Sequence, residues 1–155
     1  MTKVVLHIPR QPARRCLGER LFQTTEPWEC DWMRDDYYRA LSVPCGYMWD
    51  GASIPRIAWT ALGITPSGIA DGASLLHDVL YRAAGGKKPT EWRGCKLTNE
   101  NGNTVLLPRE EADALFYDGL VTAGVARHRA RMAYLIVRGA VWAFWGRPAP
   151  EWGKA

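Results

Sequence analysis

Apolar residues alternate with polar ones in short stretches over the first third of the chain and recur at three- and four-residue intervals over the rest. Lys3 to Ile8 is a short apolar run ended by Pro9 and Pro12, which predicts a strand. Leu21 to Thr25 predicts a second strand, and Tyr37 to Pro44 a third that leads into Cys45–Trp49. Between them Gln11 to Arg20 is basic and reads as irregular. The mixed charges Glu29, Asp31, Arg34, Asp35 and Asp36 read as a solvated turn between strands.

From Ile54 the pattern becomes helical. Ile57 to Leu62 predicts a short helix ending at Gly63, and Ile69 to Ala83 a central helix stopped by Ala84-Gly85-Gly86. Residues 85–108 read as an excursion. In it Trp92–Thr98 and Thr104–Leu107 flank the turn Asn99-Glu100-Asn101-Gly102-Asn103, whose residues tolerate positive φ. Pro108 suits the first turn of the next helix, and Glu110 and Glu111 favour its positive end. Ala112, Leu115, Phe116, Leu120 and Val121 form an apolar stripe, and Gly124 closes that helix. A last helix is predicted from about Arg127 to Trp145. The expected fold is α+β: short N-terminal strands, then a bundle of three to four helices. It is expected as one domain over 1–155, with a β-rich part at 1–50, a helical part at 51–146 and a tail at 147–155.

A chain of 155 residues with 47% hydrophobic content can bury a core without disulfides. Cys16, Cys30, Cys45 and Cys95 contain no Cys-x-x-Cys pair, so four separate thiols are expected. The N-terminus lacks the apolar stretch of a secretory signal, and no window approaches the ~18 apolar residues of a membrane span. Synthesis in a cytoplasm is therefore expected. The net charge of +4 leaves room for an anionic partner. Arg127, His128, Arg129, Arg131 and Arg138 concentrate that charge on the last helix. No base-stacking motif accompanies them, so nucleic acid is not an expected partner. Trp142, Phe144, Trp145 and Trp152 read as core, docking surface or interfacial anchor.

The candidate chemistry centres on Leu75-Leu76-His77-Asp78-Val79-Leu80-Tyr81. Neighbours on a helix point about 100° apart, so His77 can act on one group while Asp78 holds another. Asp50, with the carbonyls around Gly51, offers oxygen ligands that suit a hard cation such as Ca²⁺, and Asp78 offers another. His77 as a general base needs a carboxylate to fix its tautomer, for which Asp113 is the candidate. Arg56 and Arg109 read as salt-bridge partners of the acidic residues. Three histidines in all argue against a multi-histidine metal site.

Two resemblances follow. The segments Asp50-Gly51-Ala52-Ser53-Ile54-Pro55-Arg56, Leu76-His77-Asp78-Val79-Leu80-Tyr81 and Arg109-Glu110-Glu111-Ala112-Asp113-Ala114-Leu115-Phe116 resemble a family of bacteriophage and prophage proteins of unassigned function, from Gly46 to about Gly139. More loosely, their order is similar to the secreted phospholipases A2, particularly the compact bacterial forms. That likeness implies a paired-helix site: His77 as general base, Asp113 as its orienting carboxylate, Tyr81 as the motif tyrosine, and Asp78, Asp50 and Gly51 around Ca²⁺. It implies hydrolysis of lipid esters or another envelope-directed hydrolysis. Ala73, Ser74 and Leu80 stand where those enzymes place disulfide cysteines, so packing must hold the helix instead.

The first resemblance also leaves a non-enzymatic reading: a virion component of tail or baseplate that keeps the scaffold and an ion. Its partners would be other phage structural proteins, as cell-envelope lipid would be for the enzyme. A zinc peptidase or amidase lacks the necessary ligands. Solvent access to His77 separates the first two readings.

Overall fold

Period-two alternation decides the N-terminal half, and it does so most clearly where the charges had suggested a turn. The computed structural model describes residues 4–8, 10–18, 21–49, 63, 70–140 and 145–147. Strands β1 (Val4–His7), β2 (Arg14–Cys16), β3 (Phe22–Thr24), β4 (Trp28–Arg34), β5 (Tyr37–Val43), β6 (Met48–Trp49) and β7 (Lys96–Thr98) form two antiparallel sheets. One is ordered β1-β4-β5-β7 and the other β2-β3-β6.

The expected solvated turn at residues 29–36 is mostly strand. In β4, Trp28, Cys30 and Trp32 face the core, while Glu29 and Met33 face solvent. The charges occupy one face of a half-buried strand, so they hid the alternation without breaking it. The turn itself is two residues, Asp35-Asp36, joining the paired Arg34 and Tyr37. Asp35 has φ 52°, a conformation that Asp tolerates better than most residues. A second correction concerns Gln11 to Arg20, expected to be irregular: Arg14–Cys16 is a strand paired with Phe22–Thr24. The excursion closes as the expected hairpin, with Thr98 bridged to Thr104 and the Asn99 and Val105 N–H groups donating to the Asn103 and Leu97 carbonyls at 3.0 and 3.2 Å; β7 is also the fourth strand of the larger sheet, paired with β5.

Three described α-helices follow: α1 (Asp71–Arg82), α2 (Arg109–Thr122) and α3 (Arg127–Ala140). The fold is α+β, as the sequence predicts. The short helix expected at 57–62 and residues 141–144 of the expected final helix lie outside the described residues, and Trp145, its expected end, stands in a turn. Every residue of α1 is buried, including Asp71, Ser74, His77, Asp78 and Arg82, so each polar group there needs a partner. At its N-terminus the Gln11 side chain accepts the Gly72 N–H at 2.7 Å, and Arg14 holds Asp71 at 2.5 Å. Two groups from the β2 region thus serve a helix end that no local side chain caps.

Helices α1 and α2 run antiparallel. A Cβ on Gly119 would stand 2.8 Å from that of Ala73, the His77 ring lies 4.8 Å from Phe116, and Tyr81 reaches back to Asp113. Trp28, Trp32, Leu75, Leu76, Leu80, Leu115 and Leu120 fill the core between this pair and the inner faces of the strands. The excursion returns at the end of α1, where the Leu107 N–H donates to the Gly85 carbonyl at 2.9 Å. Gly85 has φ 64°, and a Cβ there would lie 1.8 Å from the Leu107 oxygen, so no other residue fits. Among the described residues, no helix is long and apolar enough to cross a membrane.

Candidate active site

The buried polar groups of α1 sort into two clusters, one around His77 and one around Asp78. Their divergence is the consequence of adjacent helical positions. On the first side, His77 Nε2 lies 3.1 Å from Asp113 Oδ1, and the Tyr81 hydroxyl donates to the same oxygen at 2.5 Å. The other oxygen, Oδ2, accepts from Arg138 at 2.7 Å and faces Arg109 Nε at 3.4 Å. Arg109 also donates to the Tyr81 oxygen at 3.3 Å and to the Arg138 carbonyl at 2.7 Å. One carboxylate thus ties α1, α2 and α3 together.

The protonation of this cluster follows from its donors. Burial lowers the His77 pKa, with the hydrogen bond and charge of Asp113 working the other way and Arg109 adding to the lowering, so the imidazole is neutral at pH 7. A carboxylate only accepts, so the proton of that neutral ring sits on Nε2 and Nδ1 carries the basic lone pair. Among the described residues, Nδ1 has no hydrogen-bond partner. Burial pushes Asp113 up, but donation from His77, Tyr81 and Arg138 outweighs it and leaves the acid below the usual carboxylate range. Burial also raises the Tyr81 hydroxyl, reinforced by Asp113, which keeps it a donor. His77 retains 2% of its surface exposed and Asp113 none.

Asp78 points into different company. Arg82, one turn along α1, places Nε 3.1 Å from Asp78 Oδ2, and the Tyr47 hydroxyl lies 3.5 Å from the same oxygen. Arg82 also donates to the Met48 carbonyl at 2.7 Å. Cys95 is near enough to feel both charges; burial pushes its thiol up to about 12. Asp50 and Gly51, the other expected Ca²⁺ ligands, lie outside the described residues. Among those described, no three His, Cys, Asp or Glu side chains converge on a cation site. A cation at Asp78 would have to displace the Arg82 guanidinium that neutralises it.

His77, Asp113 and Tyr81 come together as the sequence reading expected, and Asp78 stands apart from them. Arg109 takes its expected role as an ion-pair partner. Arg138, read only as part of a basic helix, is the strongest cationic partner of Asp113. A sequence signal existed for Arg82, at i+4 from Asp78. None existed for Arg138, which is brought in by tertiary packing. Ala73 sits under Gly119 and Leu80 is fully buried, so close helix packing operates where the phospholipase likeness would place staples. All four cysteines are free thiols.

No curated protein and no solved structure matches the chain. The family described as "Protein of unknown function (DUF1353)" matches residues 22–137, a span that takes in β3 to β7, His77, Tyr81, Arg109 and Asp113 and stops one residue short of Arg138, and the chain belongs to that family.

Proposed function

We propose that this chain is a phage-derived hydrolase of ester bonds, with lipid esters as its substrate class, in which His77 is the general base and Asp113 orients it. One observation carries the reading: a buried carboxylate grips Nε2 of a neutral imidazole and so leaves Nδ1 as the basic atom. In the reaction, Nδ1 takes a proton from water as the water oxygen bonds to the ester carbonyl carbon. The tetrahedral intermediate then collapses, the C–O bond to the leaving alcohol breaks, and the Nδ1 proton passes to that alcohol. Tyr81 and Arg138 keep Asp113 ionised and fixed through the cycle. The phage assignment rests on the likeness of the three motif segments, and the lipid class on the order in which they occur.

A virion structural role is the second reading, favoured by the near-complete burial of His77 and Asp113 and by the closure of Asp78 with Arg82. Fatty-acid release from phospholipid vesicles, with and without chelator, separates the two when run beside calorimetric titration with Ca²⁺. The expected result is hydrolysis that His77→Ala abolishes while the variant stays folded. Chelator-sensitive turnover with saturable Ca²⁺ binding would restore the metal to the mechanism. An inactive parent, with large and equal stability losses in His77→Ala and Asp113→Ala, would favour the structural reading.

A further inference from the structure

The larger sheet turns one face to the helices and the other to solvent, and the solvent face is not flat. A pocket of about 390 Å³ opens on it, floored by the small side chains of β5 and walled by longer ones from the strands on either side. Strand register gives its layout. Glu29, Ser42 and Lys96 form one row across β4, β5 and β7, and His7, Asp31, Ala40 and Thr98 form the next. Residues of one row share a face, so two carboxylates stand on one wall and an ammonium on the other.

The carboxylate wall is built and held. His7 Nδ1 lies 2.9 Å from Asp31 Oδ1, and the Tyr38 hydroxyl donates to Asp31 Oδ2 at 3.0 Å, so this carboxylate is held from both sides. Glu29 and Lys96 are different. Both line the pocket, yet neither forms a hydrogen bond or ion pair among the described residues, nor do they bridge to each other across Ser42. Their backbones are two strand spacings apart, roughly 9–10 Å. An ammonium and a carboxylate on one carbon, ~3 Å apart, plus a hydrogen bond of about 2.9 Å at each end, span nearly that gap.

We propose that this pocket binds a small amino-acid-type zwitterion, its ammonium toward Glu29 and Asp31 and its carboxylate toward Lys96. Ser42 and Thr98 supply hydroxyls along the floor. The site lies on the opposite side of the sheet from His77, so it does not depend on the hydrolase reading.

The test is a ¹H–¹⁵N titration of the full chain with glycine, with propionate and ethylamine as single-charge controls. Saturable shifts of the Ala40, Ser42 and Thr98 amides by glycine are expected, with much weaker responses to either control. Glu29→Gln and Lys96→Met should each weaken binding roughly tenfold or more, the loss of one charge-assisted hydrogen bond. Both side chains are exposed, so the variants should keep the parental melting temperature. Absence of saturable shifts, equal affinity for propionate or ethylamine, or unchanged glycine binding in both variants would overturn the proposal.

Discussion

Asp113 is a carboxylate with no exposed surface that gathers donors from three helices, and its replacement tests how much of the fold depends on it. Asp113→Ala would leave His77, Tyr81 and Arg138 without their acceptor, the arginine as a partly buried charge. Breaking a buried charged network in this way costs about 3–5 kcal/mol. Tyr81→Phe removes one donor and leaves Asp113 with the others, so about 1–2 kcal/mol is expected. Urea denaturation of the two variants measures the difference; similar losses would mean that Tyr81, not the charge network, dominates. The sequence made part of this legible, since a histidine on an apolar helix needs an acceptor and Asp113 was the available acid. Arg138 was not legible, because its distance from Asp113 is set by how α3 packs, and no spacing rule spans that. Arg82, the partner of Asp78, stands at i+4 on the same helix, a spacing that is legible in the sequence.

At the scale of elements, the site exists because α1 and α2 approach closely, and Gly119 sets that approach. A methyl group there would meet the Ala73 Cβ at 2.8 Å and its Cα at 3.2 Å. Overpacking of this kind costs about 1–3 kcal/mol, against roughly 1 kcal/mol of helix propensity gained on replacing glycine. Gly119→Ala should therefore destabilise the protein. Gly139, in α3, is the control, since nothing lies within 4 Å of its would-be Cβ. Gly139→Ala should stabilise by about 0.5–1 kcal/mol. Thermal melts of both would show opposite shifts; a gain at Gly119 would mean that the crossing is looser than its geometry. The helices were readable because 3.6-residue periodicity and the Pro108 and Gly124 boundaries agree. The sheet was only half readable. β4 carries its charges on the solvent face, and β7 joins the sheet through a contact more than fifty residues away in sequence from β5. Local pattern can locate a strand, but it does not name the strand's partner.

For the whole molecule, three buried or half-buried acids and bases among the described residues shape how stability depends on pH. His77 has a folded pKa below its unfolded value of about 6.5, so the unfolded chain binds the extra proton and stability falls as pH drops below that value. Asp113 is also depressed, and its contribution is lost only below about pH 4. Asp118 has the opposite sign. Burial raises it to about 6, with Arg34 opposing, so here the folded chain holds the extra proton and stability rises as pH drops toward about 4. Below about pH 6, for as long as His77 stays neutral in the fold, the His77 and Asp118 contributions oppose each other, each with a limiting slope of about 1.4 kcal/mol per pH unit. The parent should therefore show a shallow stability profile across that window. Asp118→Asn removes one side of the balance. It should be more stable than the parent at pH 7.5, where it lacks a desolvated charge, and should lose that advantage steadily as the pH falls toward 4.5. Urea midpoints at half-unit steps would read this directly. A parallel displacement of the two profiles would mean that Asp118 does not titrate in this window, and a steep parental profile would mean that the His77 contribution is unopposed.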